Sequence, residues 1–254
     1  MMPSDKLVKI LRGRPRTVVL TGAGVSAESG VPTFRGGSDS LWSKFNPEEL
    51  ASIDGFMANP KLVWEWYSWR RKLIGESKPN PGHEVLAKLE KHLPEFTLIT
   101  QNVDNLHQRA GSEQVIELHG NILRDKCIRC ERPAPNAVFS EDKLPLCSCG
   151  GMIRPDVVWF GEMLPEEAIS TAISESRAAE LFLSIGTSAE VFPAADLPIV
   201  AKRSGAYLVE INLEETRISP HADEVYRTPS GVILSALWEK IGACGESRTN
   251  TVAH

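Results

Sequence analysis

Cys127 and Cys130 are separated by two residues, Cys147 and Cys149 by one, and sixteen residues lie between the pairs. Thiolates on two such knuckles suit a tetrahedral Zn2+ ion. Four of them close the coordination sphere, so the metal would be structural, with no position left for a substrate. The second pair is tighter than a two-residue spacing, and Gly150-Gly151 directly after it relieves the backbone there. Reduced cysteines without a metal are the alternative. A different chemistry is suggested by Gly22-Ala23-Gly24-Val25-Ser26-Ala27, a G-x-G-x-x-A run that follows the β-branched segment Thr17–Thr21. Glycines at such a strand-to-helix turn let backbone N–H groups approach a pyrophosphate. A tight turn with no ligand reads equally well from this run alone. Hydride transfer would also require a second strand and a ribose-binding acid about 20 residues on. Asp39 lies in that range, but no strand precedes it. The pattern disfavours a dehydrogenase without disfavouring a dinucleotide.

Four further clusters follow segments that read as buried strands. Gln101-Asn102-Val103-Asp104-Asn105 closes the segment from Phe96, and His119-Gly120 follows Val115–Leu118. Gly186-Thr187-Ser188 follows Leu181–Ile185, and Asn212-Leu213-Glu214 follows Ala206–Ile211. In an open parallel sheet, ligands bind beyond the carboxyl ends of the strands, so these clusters share one rim. The amides and carboxylate suit a ribose or a carboxamide; a polar capping loop is the alternative. His119 can serve as a base near neutral pH. A lone histidine is more often a packed residue, and only its place on the rim favours chemistry. Tyr67 and Arg70 are three apart on a predicted helix and share a face. A phenol beside a guanidinium can bind a carboxylate. Taken alone, a solvated face with Tyr67 half-buried among Trp64, Trp66 and Trp69 is the better reading.

The elements that must position these groups alternate. Strands are expected at 17–21, 96–101, 115–118, 157–160, 181–185 and 206–211. Helices are expected after Gly24, across 46–77, and at 81–92, 165–178, 193–203 and 231–241. Pro32–Ser40 reads as a loop with Gly36-Gly37 as a hinge-like pair. Alternating strands and helices imply an α/β fold, a parallel sheet covered by helices on both faces. The cysteine window, about 121–156, holds several prolines and little periodicity; with 46–77 it interrupts the alternation and suggests a smaller lobe made of two insertions. The 254 residues, 42% hydrophobic and 24% charged, can bury a sizeable core. The net charge of −5 gives no pull toward nucleic acid or anionic membrane. A zinc-ribbon module that touches nucleic acid is the competing class, but 121–156 carries six basic against five acidic residues, which is no phosphate-binding stripe. No apolar run reaches membrane-spanning length, and Met1–Lys6 lacks the apolar stretch of a signal peptide, so a cytoplasmic protein is expected.

These pieces, in this order, resemble the sirtuins, NAD-dependent protein-lysine deacylases. The resemblance runs from about Val18 to Ile241. It rests on Gly22 through Arg35, Gln101-Asn102-Val103-Asp104, His119-Gly120, the cysteine quartet, Val157-Val158-Trp159-Phe160-Gly161-Glu162 and Gly186-Thr187-Ser188. It implies a Rossmann-like NAD-binding domain made of 1–35, 80–122 and 155–254. The smaller lobe would comprise a helical part, 36–79, and a zinc-binding module, 123–154, holding one structural Zn2+ on Cys127, Cys130, Cys147 and Cys149. By the same resemblance, Gly22, Ala23, Gly24, Ala27, Thr33, Phe34 and Arg35 line the NAD site. Gln101, Asn102, Val103 and Asp104 hold the nicotinamide half. Gly186, Thr187, Ser188, Asn212, Leu213, Glu214 and Ser230 hold the adenosine half. Val158, Phe160, Gly161 and Glu162 flank the acylated peptide, bound as an added strand. Thr33-Phe34-Arg35 and Tyr67-x-x-Arg70 resemble the class III branch, which reverses the solvated-face reading of that pair. It places a succinyl or malonyl carboxylate on them, with Ala27 leaving room for the acyl chain. His119 becomes the general base of a reaction yielding free lysine, nicotinamide and 2′-O-acyl-ADP-ribose. The partners expected are acylated proteins or peptides, with no nucleic acid, no membrane, and the chain acting as a monomer. An NAD-dependent ADP-ribosyltransferase of the same fold is the alternative.

Overall fold

The strands divide between two sheets. The structure, a computed structural model, describes residues 2–34, 40–135, 137–140 and 143–242, apart from the Trp42 side chain. Its strands are β1 (Thr17–Thr21), β2 (Phe96–Thr100), β3 (Val115–Glu117), β4 (Gly120–Cys127), β5 (Ile153–Val157), β6 (Leu181–Ile185), β7 (Tyr207–Ile211) and β8 (Glu224–Tyr226). β1 and β6 are buried at every residue. Continuous apolar and β-branched runs of this kind belong at the centre of a sheet covered on both faces. They pair with one another in a six-stranded sheet of order β3-β2-β1-β6-β7-β8, parallel at every pairing. From β1 the chain crosses outward to β2 and β3, then returns to β6 and continues to the opposite edge. The order therefore reverses between β1 and β6, where an open parallel sheet leaves a crevice at its carboxyl edge.

Alternate side chains supply the two covering layers. Val19, Leu183 and Val209 pack with Leu7 and Leu11 of the Asp5–Arg12 helix, Leu86 and Leu89 of Pro81–His92, and Leu234 and Leu237 of Ser230–Gly242. Val18, Leu20, Phe182 and Leu208 face the other way. They pack with Ala172 of the Glu166–Ala178 helix and with Leu197 and Ala201 of Leu197–Arg203. The expected α/β architecture is therefore present, with helices on both faces of a parallel sheet.

A third core lies apart from the sheet. Val63, Trp64, Trp66 and Tyr67 project from the Pro60–Glu76 helix onto Ile122, Cys127, Ile153, Val157 and Trp159. That helix starts where the sequence dictates. The Asn59 side chain accepts from the Leu62 N–H, and Pro60 occupies the first turn, where its missing N–H costs nothing.

The 121–156 window departs from expectation. β4 and β5 pair as an antiparallel hairpin that ends in the register Cys127–Ile153. The strand expected at 157–160 lies at Ile153–Val157 instead, so only Val157 of that segment is in it. Charged residues mask the alternation in both strands. They are satisfied across the pair: Arg124 and Lys126 both meet Asp156, at 3.2 and 3.3 Å. The Asp5–Arg12 helix was also not anticipated; the Ser4 side chain caps it, accepting from the Leu7 N–H. Among the described residues no helix is long and apolar enough to cross a membrane.

Candidate active site

The loops after β1 and β6 lock together at the switch point. Gly24 N–H donates to the Gly186 carbonyl at 2.8 Å, and Gly22 N–H to the Ile185 carbonyl at 3.0 Å. A Cβ on Gly22 would lie 2.7 Å from the Gly186 oxygen, and one on Gly24 would lie 2.7 Å from Gly186 Cα. Gly186 itself has φ +60°, a conformation that favours glycine. The G-x-G run is thus fixed by the closeness of two backbones, and it opens onto a cavity of about 810 Å3. That is the size of a site for a long organic ligand.

Most of the residues expected at the site line this cavity. They include Gly22, Ala23, Gly24, Ala27, Thr33 and Phe34 from the first loop, and Gln101, Asn102 and Val103 after β2. Gly186, Thr187 and Ser188 come from the loop after β6, Asn212, Leu213 and Glu214 from that after β7, and Ser230 from the start of the last helix. Val158, Phe160, Gly161 and Glu162 enter from the segment after β5, and Tyr67 and Arg70 from the Pro60–Glu76 helix. Asp104 does not line the main cavity. It is buried beside it, in a small adjoining pocket shared with Arg70 and Asn102. Arg35, Gly36, Gly37, Asp39 and Cys244 lie outside the described residues.

Short hydrogen bonds tie these groups to one another. Gln101 Nε2–H donates to Thr187 Oγ1 at 2.9 Å, and Asn212 Nδ2–H donates to the Thr187 carbonyl at 2.9 Å. Asn102 Nδ2–H donates to the Gly22 carbonyl and to Ser26 Oγ, and Ser26 O–H donates to Asp104 Oδ2 at 2.7 Å. Burial raises the Asp104 pKa, against the pull of the Leu106 N–H and the Ser26 hydroxyl. Ser230 O–H donates to Glu28 Oε1, which also accepts from the Gly231 N–H at the start of the last helix.

His119 is half-buried on the cavity wall. Its Nδ1 lies 3.0 Å from the Gln101 carbonyl oxygen. A carbonyl only accepts, so Nδ1 carries the proton and Nε2 keeps its lone pair. Burial lowers the His119 pKa below the ordinary histidine value, opposed by that hydrogen bond. The imidazole is therefore neutral near pH 7 and competent as a base.

Tyr67 and Arg70 are not on a solvated face. They are 1% and 4% exposed. The Arg70 guanidinium carbon sits 4.7 Å from the Phe34 ring centroid and 5.0 Å from that of Trp66. Among the described residues, no oxygen accepts a hydrogen bond from that guanidinium. Desolvation lowers the Arg70 pKa, while Tyr67 and Asp104 raise it. Burial raises the Tyr67 pKa and keeps the phenol protonated. The pair therefore offers donors without acceptors on the wall of the cavity, which suits an anionic ligand group.

Some wall and supporting residues were not expected at the site from the sequence. Trp66 and Trp159 line the cavity but read as ordinary core aromatics. His83 lies behind Ser26, 3.3 Å from its Oγ, and accepts from the Asn80 N–H to complete a helix capping box. Burial lowers the His83 pKa to about 4. The fold alone brings it to the site, because nothing in a helix's first turn marks a histidine as part of a distant cluster.

The four cysteine sulfurs converge at the tip of the β4–β5 hairpin. All lie within 4.8 Å of one another, with Cys127–Cys149 at 3.5 Å, Cys130–Cys149 at 3.6 Å and Cys130–Cys147 at 3.8 Å. A tetrahedron with Zn–S bonds of about 2.3 Å sets sulfurs ~3.8 Å apart, so the quartet fits one structural zinc. Arg132 Nε–H donates to Cys130 Sγ and helps draw that thiol's pKa down to about 6, toward the thiolate a metal needs. A Cys147→Ser variant is expected to lose the zinc and lower the unfolding midpoint, because metal binding is part of the folding free energy of such modules. Metal analysis checks this; a full equivalent of zinc in the variant would show that the quartet is not the site.

Comparison with known proteins agrees with this geometry. The Sir2 family profile matches residues 22–193. An NAD-dependent protein deacylase of Aquifex aeolicus is 53% identical over 234 residues, which cover 90% of this chain and 98% of that protein. One from Pyrococcus furiosus is 50% identical over 241 residues, covering 92% and 96%. Among solved structures, a Sir2 homolog–NAD complex is 42% identical, with a TM-score of 0.86 and 94% of both chains covered. A Sir2–p53 peptide–NAD+ complex is 37% identical, with a TM-score of 0.83, covering 95% of this chain and all of that one. With the Sir2 family profile matched over residues 22–193 and curated relatives about half identical along nearly their whole length, the chain belongs to the Sir2 family.

Proposed function

We propose that the protein is an NAD-dependent protein-lysine deacylase that removes acetyl groups and, preferentially, succinyl and malonyl groups. The observation that carries the preference is the buried Tyr67–Arg70 pair, whose donors meet no acceptor among the described residues and line the same cavity as the glycine loop. An acetyl group would leave that guanidinium unsatisfied. A distal carboxylate would accept from it and from the Tyr67 hydroxyl.

Placement supports the remaining roles. Gly22, Ala23, Gly24, Ala27, Thr33 and Phe34 bring backbone and small side chains close to the dinucleotide. Gln101, Asn102 and Asp104, held by Thr187, Gly22 and Ser26, orient its nicotinamide half. Gly186, Thr187, Ser188, Asn212, Leu213, Glu214 and Ser230 form the adenosine end. When bound, NAD supplies the ADP-ribosyl group that takes up the acyl group as nicotinamide leaves. His119 Nε2 removes a proton from a ribose hydroxyl in that transfer. Val158, Phe160, Gly161 and Glu162 flank the peptide. We further propose a division into a Rossmann-like domain, 1–35, 80–122 and 155–254, and a smaller lobe of 36–79 and 123–154.

Product masses test the activity. A succinyl-lysine peptide incubated with NAD is expected to give deacylated peptide, nicotinamide and 2′-O-succinyl-ADP-ribose in equal amounts. ADP-ribose attached to the peptide or to the enzyme, without an acyl ester, would instead identify a protein ADP-ribosyltransferase.

A further inference from the structure

A tryptophan stands behind the tyrosine that meets the acyl carboxylate. Trp159 Nε1–H donates to Tyr67 Oη at 2.8 Å. Indole is a donor only, so the phenol oxygen must accept. With one of its lone pairs engaged, Tyr67 is left with its own O–H to give, and among the described residues nothing accepts it. A hydrogen-bonded chain polarises each successive donor, which strengthens the free hydroxyl as a donor toward an anion.

Trp159 is itself held from three sides. Its backbone N–H donates to Glu162 Oε2 at 2.7 Å. Both Glu162 oxygens accept from Arg154, at 2.6 and 2.8 Å. The Arg154 guanidinium, 1% exposed, lies over the indole, its carbon 3.3 Å from the ring centroid. The ring also meets Phe56, tilted against it at 5.2 Å between centroids. The Glu162 carboxylate is thus committed to this clamp, and the indole N–H has one direction in which to point.

We propose that Trp159 is a specificity-determining positioning residue: it commits the Tyr67 hydroxyl to donate to the distal carboxylate of a dicarboxylic acyl-lysine. This rests on the carboxylate reading of Tyr67 and Arg70. Trp159 acts through Tyr67, and Arg154 and Glu162 fix the angle at which it does so.

The test compares kcat/KM on succinyl- and acetyl-lysine forms of one peptide. Trp159→Phe keeps an aromatic ring and removes the N–H. The succinyl-to-acetyl ratio is expected to fall about three- to tenfold, the worth of one neutral hydrogen bond, mainly through a higher KM for the succinyl peptide. In a Tyr67→Phe background the same replacement should lower the ratio no further. Benzothienylalanine at position 159, which replaces only the N–H by sulfur, carries the same expectation if the phenylalanine variant folds poorly. An unchanged ratio, or an equal fall in both backgrounds, overturns the proposal. If Arg70→Met collapses the ratio while loss of the indole N–H does not, the carboxylate reading stands and the role of Trp159 falls. A wild-type enzyme with no succinyl preference removes both.

Discussion

Replacing His119 with alanine is expected to lower deacylation by about two to four orders of magnitude, the contribution of a positioned general base. The fold should persist. Among the described residues the imidazole makes one hydrogen bond, from Nδ1–H to the Gln101 carbonyl, at 3.0 Å on the cavity wall. A small rise in exposure of that carbonyl is affordable, since the site is open to water. What is lost is Nε2, whose lone pair the described residues leave free. The direction of the pKa shift adds a second signature. Burial lowers the His119 pKa, so the acid limb of the kcat/KM profile should fall below the ordinary histidine value of about 6.5. Activity would be lost as pH drops through that limb and held from pH 7 upward. The alanine variant should lack the limb altogether. Near-wild-type turnover would remove His119 from the base role.

Arg70→Met should separate the substrates. A charge-assisted hydrogen bond is worth about 1.5–3 kcal/mol, so desuccinylation should fall roughly ten- to 150-fold. Methionine fills much of the same space between the Phe34 and Trp66 rings, so the packing of the Pro60–Glu76 helix should survive. Deacetylation should fall far less, because an acetyl group carries no distal carboxylate for the guanidinium and an unpaired buried cation is itself unfavourable. Parallel kinetics on the two acyl forms check this. Equal losses on both would contradict the pocket assignment.

Much of this was legible in the sequence because it rests on short-range rules. The strands at 17–21, 96–100, 181–185 and 207–211 are continuous apolar or β-branched runs between turn residues, and their order alone implies the parallel sheet. The cysteine spacing pointed to a metal knuckle before the hairpin was known. The hairpin was hidden because β4 and β5 carry Arg124, Asp125, Lys126, Arg154 and Asp156. These satisfy one another or pair with Arg71 and Glu162 across the fold, so no apolar alternation remains to be read. The burial of Tyr67 and Arg70 was hidden for a related reason. Helical spacing placed them on one face but could not show which surface that face meets. Only the packing of Phe34, Trp66 and Trp159 around them makes it a pocket. His83 was invisible as a site residue because it carries no local motif, and Trp159, though inside the Val157–Glu162 run, gains its place behind Tyr67 only through a tertiary contact.

One comparison tests the acyl preference most directly: kcat/KM with saturating NAD on a single peptide carrying acetyl-, malonyl- or succinyl-lysine at the same position. A charge-assisted contact at Arg70 predicts that the malonyl and succinyl forms exceed the acetyl form by about tenfold or more. An acetyl form turned over as efficiently as the other two would mean that the buried guanidinium does not receive the acyl group.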